Sequence, residues 1–144
     1  MKILFLVIAL LFVVTLSNSS GSSATNAANP AVKERAVFKF DGNVTLMDIP
    51  LKGEYLFVHD DAAMMRGEAC TYVYQGTEEK PENLIVYFHC TPRIRAIAEH
   101  FVIRTVEVAP GQFEVREFQF AGSPEGHLVP VSSHAEHVTF ASPN

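Results

Sequence analysis

The sequence has few of the features that identify an enzyme. Its 144 residues contain no Walker loop, no G-x-G-x-x-G, no H-E-x-x-H and no G-x-S-x-G, the linear motifs of nucleotide-binding, metalloprotease and hydrolase sites. Cys70 and Cys90 are its only cysteines, and they do not form a C-x-x-C redox motif. The enzyme classes that need these motifs are therefore excluded. An enzyme without a linear signature stays open, because sites on small β-domains often leave none.

Positive charge is also scarce. The chain has 11 lysines and arginines against 16 aspartates and glutamates, a net charge of −5, and the acidic residues are scattered. This balance argues against nucleic acid or an anionic membrane surface as a partner. The partner class that remains is an unknown macromolecule or a component of the cell envelope.

The one long apolar run is too short for a membrane span. Residues 3–16 are apolar except for Thr15, whereas a spanning helix needs about 20 apolar residues. Ser22-Ser23-Ala24 supplies small residues at the positions that a signal peptidase reads. We therefore expect residues 1–24 to be a secretory signal peptide and the mature protein to be secreted or periplasmic, with no stable membrane span. An uncleaved anchor is the alternative.

The remainder of the chain fits one domain. Residues 25–34 continue the small, polar composition of the cleavage region and are predicted to be a flexible leader. Residues 35–144 contain short apolar runs punctuated by glycine and proline, which predicts a single β-rich domain. The predicted fold class is all-β, a mostly antiparallel sandwich or partly open barrel with one or two short helical segments.

The stretch between the two cysteines predicts a clamped hairpin. Apolar runs at residues 70–75 and 84–90 flank a polar segment with a glycine and a proline, the pattern of a β-hairpin with a long loop. In the expected register three pairs face each other: Cys70 with Cys90, Tyr72 with Phe88 and Tyr74 with Val86. Because export would place the chain in an oxidising compartment, we expect a disulfide between the cysteines. A redox or metal-binding pair and two free buried thiols are the alternatives.

Pro110-Gly111 predicts the turn of another hairpin. With these residues at the loop centre, Arg104 faces Glu117 and Ile103 faces Phe118, so that opposite charges meet and apolar residues meet. Further predicted pairs are Phe101 with Phe120, Val106 with Val115 and Val108 with Phe113.

Three shorter elements complete the predicted fold. Asp41-Gly42 is a tight-turn signal between strands at residues 36–40 and 44–47. Residues 60–67, which begin with Asp60-Asp61, predict a short helix with an aspartate as its cap. Residues 93–99 predict a second short helix after Thr91-Pro92, with a continuous strand as the rival interpretation.

One segment resembles a known group of proteins. Residues 46–58 (LMDIPLKGEYLFV) combine an apolar stretch that contains proline with a Gly-x-Tyr entry into a strand. This stretch resembles the opening of small, exported, uncharacterised bacterial β-rich proteins. The resemblance implies a bacterial exported β-protein, and it brings no activity or site residues.

Histidines are the residues with the clearest claim to chemistry. His134-Ala-Glu-His137, with His127 nearby, offers three imidazoles and a carboxylate, a set that copper or zinc could use. Positions three apart on a strand point to opposite faces, so His134 and His137 converge only if the tail turns. Polar histidines on a sheet surface are the alternative. Met64-Met65 close to His59 could likewise be a soft copper site, although methionines in a short apolar turn usually pack.

Three functions remain open from the sequence. The first is a non-catalytic exported domain that binds a macromolecule or the envelope. The second is a copper- or zinc-binding protein that uses the C-terminal histidines. The third is a carrier of a small apolar ligand, suggested by 11 phenylalanines and 4 tyrosines, although these rings could instead fill the core.

Overall fold

The computed structural model describes residues 31–131 and 139–140, and strands dominate them. In chain order the strands are β1 Lys33–Leu46, β2 Ile49–Asp60, β3 Thr71–Gln75, β4 Leu84–Phe88, β5 Thr91–Ile94, β6 Val102–Ala109, β7 Gln112–Gln119, β8 Glu125–Leu128 and β9 Thr139–Phe140. They form one curled sheet, a half-barrel, in the order β5-β8-β7-β1-β2-β3-β4-β9, with β6 paired to β7. This confirms the all-β prediction and its partly open barrel.

The two longest strands, β1 and β2, form the central hairpin. The predicted turn at Asp41-Gly42 is wrong, because β1 continues through it with only a shift in register between Phe40 and Val44. The chain reverses instead at Met47 and Asp48, whose φ angles of 51° and 67° are those of a tight hairpin turn. Met47 is buried beneath this turn, and its burial favours a turn that the residue types alone do not indicate.

Strand β2 has buried apolar residues on both of its faces. It lies between β1 and β3, and residues 55–59 are buried. The predicted helix follows it as α1, Asp61–Met65, whose first turn is capped by Asp60 accepting from the Ala63 N–H. Gly67 leaves the turn with a φ of 72°, a value that favours glycine.

The hairpin of β3 and β4 forms one residue out of the predicted register. Tyr72 pairs with Tyr87 and Val73 with Val86, whereas the prediction opposed Tyr72 to Phe88. A slip of one residue exchanges the two faces. Burial of Val73, Val86 and Phe88 decides the outcome, since all three are fully enclosed while the tyrosine rings stack on the other face.

The hairpin of β6 and β7 forms around the predicted turn. Ile103 pairs with Phe118 and Arg104 with Glu117, as expected. The register shifts by one between Arg104 and Thr105, so Val106 pairs with Glu114 instead of Val115. Val115 is thereby turned into the core.

The predicted helix at residues 93–99 is wrong. Residues Thr91–Ile94 form strand β5, which pairs antiparallel with β8, and the chain after it is irregular. Ile94 and Ile97 are both exposed, so the apolar spacing that suggested a helix does not face the core. A 3-10 turn, Pro81–Asn83, opens β4. No helix within residues 31–131 is long and apolar enough to cross a membrane.

An aromatic core fills the concave side of the sheet. Phe57 of β2 packs on Phe118 of β7 with ring centroids 5.5 Å apart, and Phe101 contacts both rings. At one end of this core the Phe118 ring stacks on the imidazole of His127 at 5.0 Å. The aromatic core therefore continues directly into a pair of buried histidines.

Candidate functional site

His59 is the first member of a buried cluster of cysteines and histidines. It is the penultimate residue of β2, where both faces of the strand are covered, and its side chain is 0% exposed. Neither of its ring nitrogens has a hydrogen-bond partner within the described residues. A buried polar atom without a partner loses free energy relative to its hydrated state, so such an atom is a candidate ligand for an ion.

His127 is the second imidazole of the cluster. It lies on β8 and is 1% exposed. The centroid of its ring is 4.1 Å from that of His59. β8 and β2 are not neighbours in the sheet. The curl of the sheet brings the two histidines together across its concave side.

Cys70 and Cys90 contribute two sulfurs beside the imidazoles. Cys70 immediately precedes β3, and Cys90 lies two residues beyond β4; both are buried. Their Sγ atoms are 3.2 Å apart, and the Cys90 N–H donates to the Cys70 sulfur at 3.5 Å. The cysteines thus meet as predicted, although through the chain beyond the strands and not as a directly opposed strand pair.

The four side chains have the ligand set of a tetrahedral metal site. One ligand atom from each of His59, Cys90 and His127 lies within 4.8 Å of the others. Metal–ligand bond lengths for zinc imply tetrahedral edges of about 3.6 Å between sulfur and nitrogen and about 3.8 Å between two sulfurs. The distance from Cys90 Sγ to His127 Nδ1 is 3.6 Å. The two Sγ atoms, now 3.2 Å apart, are closer than this sulfur–sulfur edge. A small outward shift of the Cys70 sulfur would let it serve as the fourth ligand.

Carboxylates surround the outer side of the histidines. Asp61 Oδ1 lies 3.3 Å from His59 Nδ1, and Glu34 Oε2 lies 3.9 Å from His127 Nε2. Metal-bound histidines in proteins almost always donate their second N–H to a carboxylate, carbonyl or water, which fixes the ring and raises its basicity. Here Asp61 can accept from His59 Nδ1, which leaves Nε2 for an ion.

The pKa values within the cluster favour a thiolate. The hydrogen bond from the Cys90 thiol, assisted by His59, holds the pKa of Cys70 well below its usual value, against the opposing effect of burial. The pKa of Cys90 is raised because its thiol donates to Cys70. Burial tends to lower the pKa of His59, but Cys70 and the neighbouring carboxylates outweigh it and raise that pKa.

His127 differs from His59 in its proton affinity. Burial, followed by repulsion from His59, lowers the pKa of His127 to about 4. Its imidazole is therefore neutral near neutral pH. A metal ion binds the neutral imidazole and the thiolate, so His127 and Cys70 are already in the ligating form.

The structure bears differently on each predicted site residue. Cys70 and Cys90 come together, as free thiols with no disulfide between them. His127 joins them, whereas His134 and His137 lie outside the described residues. The sequence offers His59 as a copper ligand beside Met64 and Met65, but it does not predict that His59 joins the cysteines and His127. The only signal of that role in the sequence is a polar residue that ends a strand with two apolar faces.

Comparison with protein-family models, with curated proteins and with solved structures finds no match to this chain.

Proposed function

We propose that this protein is an exported, non-catalytic β-domain that holds a zinc ion between His59, Cys90 and His127, with Cys70 as the fourth ligand. The observation that carries the proposal is the convergence of these side chains in a buried space, with ligand atoms of the first three within 4.8 Å of one another. Four protein ligands would leave no position for a substrate, which is typical of structural zinc sites.

The buried nitrogens support zinc over an empty polar cluster. Nδ1 and Nε2 of His59 and Nε2 of His127 lack hydrogen-bond partners among the described residues. An ion on one nitrogen of each ring, with a carboxylate on the other, would satisfy the groups that are otherwise left unpaired. Two thiolates would balance the charge of a divalent ion.

Export follows from the N-terminal sequence and is part of the proposal. In an oxidising compartment the same sulfur contact supports a second state, a disulfide between Cys70 and Cys90. The two states exclude each other, because a disulfide sulfur is no longer a thiolate ligand. A carrier of an apolar ligand has less support, because Phe57, Phe101 and Phe118 pack on each other.

Zinc uptake by untagged, reduced protein tests the site. We expect about one equivalent of zinc per chain by elemental analysis, because the four ligands form one tetrahedron. Cobalt in place of zinc should give a sulfur-to-metal charge-transfer band. Replacement of Cys90 by Ser, or of His127 by Ala, should abolish uptake while circular dichroism remains that of a β-protein.

Two control variants locate the ion. Uptake should be unchanged in His100→Ala, because His100 is exposed. It should also be unchanged when His134 and His137 are both replaced by Ala. Zinc that survives in Cys90→Ser but is lost from the double tail variant would contradict the proposal and place the site on the C-terminal histidines.

A further inference from the structure

A pocket opens on the outer side of the two buried histidines. Its volume is about 660 Å³, and its lining includes the carboxylates of Glu34, Asp61 and Glu125 and the side chains of Met64 and Met65. The pocket lies at the end of the sheet where β2 passes into α1. The imidazoles of His59 and His127 are themselves enclosed.

The three carboxylates form a layer between this pocket and the imidazoles. Asp61 is the nearest to His59, and Glu34 reaches both rings, with Oε2 4.0 Å from His59 Nδ1 and 3.9 Å from His127 Nε2. Glu125 Oε1 lies 3.8 Å from His127 Nδ1. The Val32 N–H donates to Asp61 Oδ2 and holds this carboxylate in place. A single layer of carboxylates therefore separates each buried imidazole ring from the pocket.

No lysine or arginine within residues 31–131 forms an ion pair with these carboxylates. The ion pairs of Glu34, Asp61 and Glu125 are made with histidines alone. By contrast, the partly buried Glu79 is paired with a lysine and an arginine, and Glu117 with two arginines. Three acidic groups that converge without a counter-charge create a negative potential at the mouth.

The histidines behind the layer supply an independent reason to expect a ligand. Both are more than nine-tenths buried, and their nitrogens that face Asp61 and Glu34 lack hydrogen-bond partners in the described part of the chain. A cation that entered the pocket would meet carboxylate oxygens first and imidazole nitrogens next. The thiolates lie beyond the imidazoles.

We propose that this pocket is the entry site of the metal ion, where Glu34, Asp61 and Glu125 attract a divalent cation and pass it to His59 and His127. The inference rests on the proposed zinc site. It adds the route by which the ion reaches that site and the residues that govern the rate of loading. Met64 and Met65 form the apolar rim of the mouth.

The rate of zinc association with reduced, metal-free protein tests the route. In a stopped-flow experiment with a chromogenic zinc indicator, we expect the triple variant Glu34→Gln, Asp61→Asn, Glu125→Gln to load about 10-fold more slowly than the unaltered protein at low salt, the lower end of the range for electrostatic steering. Added salt should slow the unaltered protein and affect the variant little.

A matched triple variant controls for net charge. The variant Asp48→Asn, Glu54→Gln, Glu82→Gln removes the same number of charges from exposed positions that do not line the pocket. This variant should load at the unaltered rate. Weaker binding caused by the loss of carboxylates that orient the histidines would appear as faster release, so the association and dissociation rates are measured separately.

A second variant blocks the mouth without touching the carboxylates. Met65 is 74% exposed, and Met65→Trp should slow association while the zinc content at equilibrium stays at one ion per chain. If both variants bind zinc and load at the unaltered rate, the entry route is wrong while the zinc site stands. If the unaltered protein takes up no zinc, the proposed function itself fails.

Discussion

Cys70 and Cys90 can form either of two kinds of bond, bonds to a metal ion or a disulfide with each other. Their sulfurs are 3.2 Å apart, and the pKa of Cys70 is lowered by the Cys90 thiol and by His59. A thiolate beside a thiol is ready either to coordinate an ion or, with an oxidant, to form a disulfide. A metal ion on both sulfurs would protect them from oxidation, because it occupies the electron pair that attacks the oxidant.

Oxidation of the zinc-free protein provides the first prediction at this scale. Glutathione disulfide should join Cys70 to Cys90 and release two glutathione thiols, and the loop closed by the bond should stabilise the fold by about 2 to 4 kcal/mol. Thiol titration after unfolding without reductant measures the bond, and urea denaturation measures the stability. The double variant Cys70→Ala, Cys90→Ala should show no gain. Two titratable thiols in the oxidised sample would show that the bond does not form.

The sequence predicts some members of the cluster and misses others for a physical reason. Cys70 and Cys90 are joined by one hairpin, so local alternation is enough to bring them together. His59 and His127 are 68 positions apart and come together only through the order of strands in the sheet. Single-residue properties carry no information on that order. The sequence therefore predicts His127 as a ligand beside His134 and His137, which lie outside the described residues, and gives no sign that His127 meets His59 and the cysteines.

At the scale of elements, β7 carries a buried carboxylate that two arginines hold in place. Glu117 is buried and accepts from Arg95 Nε at 2.8 Å and from Arg104 Nη1 at 3.0 Å. Arg104 also donates to Gln119 Oε1. Gly126 of β8 leaves room for the Glu117 carboxylate, since a side chain there would collide with it. This network ties β6 and the chain after β5 to β7.

Glu117→Gln should destabilise the fold by about 2 to 3 kcal/mol near neutral pH. Loss of the charge leaves Arg95 and Arg104 unpaired, and the value lies below the usual cost of breaking a buried pair because both arginines can still reach water. Urea denaturation measures the difference. Glu68→Gln, which breaks an exposed pair with Arg66, serves as the control and should have no measurable effect.

The pH dependence gives this prediction a second readout. The hydrogen bond from Arg95, with help from Arg104, lowers the pKa of Glu117 below that of an unfolded glutamate. Its stabilisation is therefore complete above the unfolded pKa and is lost as the pH falls through the lowered pKa. The difference in stability between the two proteins should therefore shrink as the pH falls below the pKa of an unfolded glutamate. A gap that stays constant with pH would show that packing, and not charge, accounts for the loss.

The strength of the local signals explains which elements could be predicted. Pro110-Gly111 and the complementary charges of Arg104 and Glu117 agree on one register, and the structure confirms these pairs. Between β3 and β4 the sequence offers tyrosines on one face and valines on the other, and only burial decides between two registers that differ by one residue. The apolar residues of segment 93–99 have helical spacing, but they have no core to pack against. The start of this segment instead pairs with β8 as a strand.

At the scale of the molecule, the cluster joins strands that are far apart in the sheet. In the sheet order β8 is the second strand from one edge, whereas β3 and β4 lie near the other edge. His127 comes from β8, His59 from the central strand β2 and Cys70 from the start of β3, while Cys90 lies where the chain passes from β4 to β5. An ion among these residues would join distant strands, which backbone hydrogen bonds between neighbours do not do. The aromatic contacts of Phe118 with Phe57 and with His127 also connect β2 to β8, through β7.

Zinc should therefore stabilise the whole fold and not only the strands that carry its ligands. An ion that binds the folded chain alone adds about 2.7 kcal/mol at a free concentration 100 times the dissociation constant. For a domain of this size we expect a rise of several degrees in the melting temperature of the reduced protein, reversed by a chelator. His127→Ala should remove the rise, because β8 then has no ligand, while His100→Ala should keep it. Hydrogen exchange adds a finer measure: zinc should slow exchange in β8 and in β3 and β4 together, since the ion joins these strands. Protection confined to β3 and β4 would mean that the two sulfurs bind the ion without His127, and the ion would then not link β8 to the other strands.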